Sequence, residues 1–240
     1  MRISGNPKKI VGYDKKGNPL FNMDDDKIVS INDDFLSASV PKAVTLCFLS
    51  HIPSLSGWFR ERLDIFKICL NSLKKNTKID YDIYLLSNGS CEEAVNYFLS
   101  LSRKNIINYL MISKKNMGVN GGWNLLLQAA PGEYVALLND DIFFHDKWLD
   151  KCIEIIEGFP KVGYVSPFPI RTHFKSKLNS STLRLLENPE IKLETGRWKK
   201  SWDNIIFESI GFDKKKIESL DEINEMPLLD CNGIKAFPFS

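Results

Sequence analysis

From Ala43 onward the apolar positions of the chain fall into two alternating kinds of run. Ala43 to Ser50 (AVTLCFLS) is a continuous apolar run of strand length, and from Leu63 to Lys74 the apolar residues Leu63, Phe66, Ile68, Leu70 and Leu73 return at close to helical spacing. A second strand is predicted over Tyr81 to Ser87, closed by the turn Asn88-Gly89, with a helix over EEAVNYFLSLS for which Ser90 is the expected N-cap. A third strand, Ile106 to Ile112, leads to a helix from about Gly121 to Ala130 that ends at Pro131-Gly132. The fourth, Tyr134 to Leu138, is an unbroken apolar run and reads as fully buried. An amphipathic helix over Lys147 to Gly158, a short strand over Val162 to Val165 and a polar, partly helical stretch over 170–225 come next. Residues 1–40 read as an appendage, with IVGYDKKGNPLF forming a β-hairpin around its Lys-Gly-Asn-Pro turn.

Strands joined by connections of helical length imply right-handed crossovers. The expected fold is therefore α/β: a three-layer αβα sandwich with a mainly parallel central sheet and a Rossmann-like nucleotide-binding half. Residues 41–240 form the main domain, with 41–145 as its nucleotide-binding half. A chain of 240 residues with 43% apolar and 26% charged residues is ordinary for a soluble globular protein. The formal net charge of +2, with scattered lysines, argues against a nucleic-acid partner. No apolar stretch approaches the ~18 residues of a transmembrane helix, and MRISGNPKKI lacks the apolar core of a signal peptide, so the expected location is cytoplasmic. The five cysteines form no C-x-x-C pair and are read as reduced thiols.

The chemistry concentrates at the turns after the strands. Asn139, Asp140 and Asp141 stand directly after the fourth strand, at the edge where open α/β sheets bind ligands. Two carboxylates there suit a hard cation carrying a phosphorylated ligand, the alternative being a solvated acidic turn. Ser87-Asn88-Gly89-Ser90 ends the second strand. The segment from Asn116 to Asn124, with Gly118, Gly121 and Gly122, lets the backbone approach a ligand at a helix start, although it has neither the G-x-G-x-x-G spacing nor the Gly-Lys-Ser of a P-loop. Asp33 and Asp34 nearly repeat the later motif but precede the first strand of the sheet, and are expected on the surface.

Four stretches in order, VTLCFLSHIPSLS through CLNSL, LLSNGS, NMGVNGGWNLLLQAAPGEYVALLNDD and VGYVSP, resemble the family 2 glycosyltransferases over roughly residues 43 to 167. The resemblance implies the GT-A fold and a nucleoside-diphosphate sugar donor. It also implies transfer, with inversion, to a glycan or other hydroxyl acceptor, as in polysaccharide biosynthesis. Asn139, Asp140 and Asp141 take the D-x-D position: Asp140 and Asp141 are the implied ligands of Mn2+ or Mg2+, and Asn139 and Asp140 the implied donor contacts. Ser87 and Asn88 stand at the base-binding turn, with Ser87 where the family commonly has aspartate. Ser50 and His51 replace the usual Pro-Thr-Tyr-Asn turn, and Asn116, Gly118, Gly121, Gly122 and Asn124 line the donor. Residues 146–240 become the acceptor-side half. There MPLLDCNGIKAFPFS resembles the strand that precedes the family's general base, and the sequence stops after it, so either the chain is truncated or the base comes from elsewhere, with Asp230 as the nearest candidate by position. Trp198 and Trp202 are candidates for an acceptor surface. The alternative function is a nucleotide-sugar-binding domain without transfer activity; a nucleotidyltransferase fits less well, because no glycine-rich loop with a basic residue comes soon after the first strand.

Overall fold

The structure, a computed structural model, describes residues 10–13, 19–22, 28–30, 40–167, 180–197, 211 and 225–238. Its centre is a four-stranded sheet built from β4 (Val44–Ser50), β5 (Tyr81–Asn88), β6 (Tyr109–Ser113) and β7 (Tyr134–Asn139), in the order β6-β5-β4-β7 and parallel at every pairing. Between these strands run α1 (Arg62–Asn76), α2 (Glu92–Arg103) and α3 (Gly118–Ala129), and α4 (Trp148–Gly158) comes after β7. Alternation along β4 decides the layers. Val44, Leu46 and Phe48 face a core shared with Phe66, Leu70 and Leu73 of α1 and Phe98 of α2, whereas Cys47 faces the other way, onto Leu126 of α3. Phe66 sits at the middle of the first core, meeting Phe48, Tyr97 and Phe98 edge to face.

Two smaller sheets flank this centre in sequence. β1 (Ile10–Tyr13), β2 (Pro19–Asn22) and β3 (Ile28–Ser30) form an antiparallel meander, so the expected hairpin gains a third strand. β8 (Ile191–Arg197), β9 (Glu225–Cys231) and β10 (Ile234–Ala236) form a second antiparallel sheet, preceded by α5 (Ser180–Leu185). Phe159, Ile191, Leu229 and Cys231 make its core, against Ile155 of α4.

Several sequence expectations shift. Val162 to Val165 is not a strand. β6 begins at Tyr109 rather than Ile106, because Ile106 and Ile107 are spent on the core beside α2. Ser90 does not cap α2: the N-cap is Cys91, and the Ser90 hydroxyl instead accepts a hydrogen bond from the Ile52 amide at 3.1 Å. β7 lies at an edge of its sheet with Leu137 exposed, so an unbroken apolar run did not mean burial on both faces. Trp148 packs on Phe144, its indole N–H donating to Thr77 Oγ1 at 2.9 Å.

All the cysteines are free thiols. Burial pushes Cys47 up to about 12 and Cys69 up to about 11. At about pH 8, where a thiolate must form before it can be alkylated, iodoacetamide is expected to label half-buried Cys91 well before Cys47, Cys69 or buried Cys231 in the native protein. Peptide mass spectrometry over time would expose the opposite order.

Candidate functional site

Chain order places the site. From β4 the sheet grows outward through β5 to β6, then the chain returns to lay β7 on the other side of β4. That reversal is a topological switch point, and its crevice lies beyond the carboxyl ends of β4 and β7. Register brings Ser50, at the end of β4, level with Ser87 of β5, and Leu49 level with Asn139 of β7. The residue after β7 is Asp140, and the two aspartates behave differently from that point.

Asp140 is buried, 3% exposed. Its Oδ2 accepts a hydrogen bond from Ser50 Oγ at 2.6 Å, and its Oδ1 pairs with Arg62 Nη2. Burial pushes its carboxyl above the ordinary carboxylate value, and the charge of Asp141 adds to the rise, while the Ser50 hydroxyl and Arg62 pull against it. Asp141 is open to solvent, its side chain 45% exposed. Its Oδ2 accepts from Arg62 Nη1 at 2.9 Å, and its second oxygen has no partner among the described residues. One guanidinium therefore spans both carboxylates. For Arg62 burial works to lower its pKa, but the hydrogen bonds and charges of Asp141 and Asp140 prevail and raise it.

Sequence patterning does not single out Arg62, although one signal is present. It is the first residue of α1, where the helix dipole favours an acid, and a cation in that position needs a nearby anion to hold it. The same face of α1 grips the rest of the loop after β7. Ser72 and Asn76 lie ten and fourteen residues beyond Arg62, spacings that return to one side of a helix. The Phe144 amide donates to Ser72 Oγ at 3.0 Å, and Asn76 Nδ2 donates to the Phe144 carbonyl at 2.7 Å. The aspartate turn is thus bound to α1 along four turns of helix.

A second polar network joins the ends of β4, β5 and β6. Asn88 is buried, and its Oδ1 accepts from the Met117 amide at 2.8 Å while its Nδ2 donates to Asn116 Oδ1 and to the Gly118 carbonyl. Asn116 Oδ1 also accepts from the Gly118 amide at 2.8 Å. His51 Nδ1 lies 2.7 Å from the Asn88 carbonyl, which can only accept, so that nitrogen carries the proton; Nε2 then accepts from Asn116 Nδ2 at 3.3 Å. Gly89, with φ at +72°, lets the β5 turn approach the Asn116 backbone.

The predicted site residues therefore divide by position. Asp141, Asn139, Asn116, Gly118 and Asn124 are exposed at this edge. His51 is half-buried, tying two loops together, and Asn88 is a buried organiser of the network. Ser50 and Ser87 are fully buried. Ser50 orients Asp140, and the Ser87 hydroxyl has no hydrogen-bond partner among the described residues, so neither presents a surface to a ligand in this conformation. Gly122 is buried because α3 crosses β4 closely: a Cβ there would lie 2.4 Å from Leu49 Cδ1. Gly121 sits half-buried beside it.

Asp230, the candidate base, is the penultimate residue of β9, just before the turn into β10. It accepts from the Gly233 amide at 2.9 Å and pairs with Lys235 at 3.3 Å, and those contacts, the amide first, hold its pKa below the ordinary carboxylate value. A carboxylate so engaged is a weaker base and serves the turn. Trp198, Trp202, Asp33 and Asp34 lie outside the described residues.

Among the described residues no group of three or more His, Cys, Asp or Glu side chains is arranged to hold a metal ion. The donor set still suits a hard cation that takes one protein carboxylate and fills its shell with phosphate oxygens and water, because Asp141 keeps one oxygen open. Asp140, expected as a second ligand, has both oxygens engaged by Ser50 and Arg62. Among the described residues no helix is long and apolar enough to cross a membrane. No curated protein matches the chain. The family model described as Glycosyl transferase family 2 matches residues 59–231.

Proposed function

Because this chain belongs to the family 2 glycosyl transferases, we propose that it moves a sugar from a nucleoside-diphosphate donor to a hydroxyl of a glycan or other acceptor, with inversion. The setting proposed is polysaccharide assembly in the cytoplasm. The observation that carries the reading is Asp141, exposed at the switch point of a parallel sheet with one carboxylate oxygen uncommitted among the described residues. Asp141 would hold Mn2+ or Mg2+ together with the donor diphosphate; when bound, the ion supplies Lewis-acid neutralisation of the leaving diphosphate. Asp140 keeps Asp141 and Arg62 in register from its buried position. The asparagine network of Asn88 and Asn116 shapes the wall against which the nucleoside would lie, and the turn of α3 at Gly118 forms its rim.

A second reading is a donor-binding domain without turnover. It is favoured by the commitment of Asp230 to its hairpin turn and to Lys235. Product formation from any sugar nucleotide would reject it.

Donor binding is tested by melting the protein with UDP, GDP, CDP or ADP, each with and without Mn2+. At about one hundred times its dissociation constant a ligand stabilises the fold by about 2.7 kcal/mol, and a protein of this size gains about 2–4 °C per kcal/mol. Asp141→Asn is expected to melt close to the wild type alone and to lose the Mn2+-dependent part of the shift. Retention of the full shift would remove Asp141 from the site.

A further inference from the structure

We propose that Arg62 sets the order of binding at this site: by spanning Asp140 and Asp141 it keeps the pair from capturing a free divalent cation, so the cation is taken up only with an anionic diphosphate. The proposal rests on the donor-binding reading of the same site. Its geometric basis is the two-pronged contact, Arg62 Nη2 to Asp140 Oδ1 and Nη1 to Asp141 Oδ2 at 2.9 Å. Two adjacent carboxylates carry two negative charges, and the guanidinium reduces the local sum to one. Cation affinity of oxygen sites tracks the charge count of their ligands, so the pair is a poor trap for Mn2+ while Arg62 is in place.

A diphosphate changes that balance in two ways. It brings its own negative charge and oxygen ligands to the cation, and it offers the guanidinium a second anion to bond through the nitrogen that Asp141 gives up. Only Asp141 can yield to this exchange. Its side chain is open to solvent and its second oxygen is unpartnered among the described residues, whereas Asp140 is buried and anchored by Ser50. Arg62 can therefore remain fixed at Asp140 while its other nitrogen turns to the diphosphate. The benefit is specificity: the site binds the metal–nucleotide complex rather than either component at random.

The test is Mn2+ binding to the full chain without nucleotide, read from the loss of the free-ion electron paramagnetic resonance signal. Wild type is expected to bind Mn2+ weakly, Arg62→Gln roughly tenfold more tightly, and Arg62→Lys close to wild type. Arg62→Gln/Asp141→Asn should lose the gain. By reciprocity, a saturating nucleoside diphosphate should raise Mn2+ affinity more in wild type than in Arg62→Gln. Equal Mn2+ affinity in wild type and Arg62→Gln, or a gain that survives Asp141→Asn, overturns the proposal. Should Arg62→Gln fail to fold because Asp140 is left without a cation, the comparison moves to an Asp140→Asn background. There Arg62→Gln must again tighten Mn2+ binding, and equality again overturns it. A nucleoside diphosphate that shifts the melting of no variant defeats the donor reading instead, and the Mn2+ titrations still judge Arg62.

Discussion

Arg62→Ala is expected to lower the unfolding free energy by about 3 kcal/mol, the low end of the cost of removing one partner of a buried ion pair. Asp140 would stay in a protein interior with its charge opposed chiefly by the Ser50 hydroxyl. The low end applies because the guanidinium is 24% exposed, so water already screens part of the attraction. Asp140→Asn removes the charge yet keeps an oxygen for Ser50, and Arg62 keeps Asp141; its expected cost is about 1 kcal/mol. The two changes should couple, the double variant being more stable than Arg62→Ala alone. Urea denaturation of the four proteins reads this directly, and simple additivity would contradict a buried pair.

The pH dependence has a definite sign. Arg62 is one of the groups pulling the Asp140 pKa down against burial, so its removal raises that pKa further. An acid with a raised folded pKa contributes stability that is complete below its unfolded value and is lost as pH rises through the folded value. The deficit of Arg62→Ala should therefore be largest at neutral pH and shrink as pH falls towards about 4.

Gly89→Ala is the second large effect, about 2–5 kcal/mol, combining about 1–2 for the left-handed conformation with about 1–3 for overpacking. At Gly89 φ is +72°, and a Cβ would meet the Asn116 backbone nitrogen at 2.8 Å and its Cα at 3.2 Å. Backbone cannot swing aside as a side-chain tip can. Displacing Asn116 also loosens its bonds to Asn88, His51 and Gly118, so nucleotide binding should fall with stability. Gly118→Ala is the internal control: φ is again +72°, but nothing among the described residues lies within 4 Å of the added carbon. It should cost only the conformational part, about 1–2 kcal/mol. Equal melting temperatures for the two variants would show that the close approach carries no energy.

Much of the fold was legible because β4, β5 and α1 to α4 obey simple periodicities. Their predicted spans lie within a few residues of those observed. β6 was misplaced at its start because Ile106 and Ile107 continue the apolar run while belonging to the loop core. Val162 to Val165 misled because a short apolar run carries no information about a pairing partner. At the site, the aspartate turn and the glycine-containing loops were visible by composition. What Ser50, Ser87, Asn88 and Asp230 do was not, since burial and hydrogen-bond partners depend on the packing of other segments, some of them tens of residues away.

The chain's local pattern, strands alternating with helices and acidic or glycine-rich turns at strand ends, was sufficient to determine a parallel, helix-covered sheet and the edge at which its chemistry lies. Only tertiary structure decided how the two aspartates divide their work. They are neighbours in sequence with the same side chain, yet one is buried against Ser50 and the other faces solvent. Arg62, 78 residues before Asp140, reaches both because α1 packs across the loop after β7. Electrostatic environment is set by what surrounds a charge in space, and contacts across that separation leave no periodic trace along the chain.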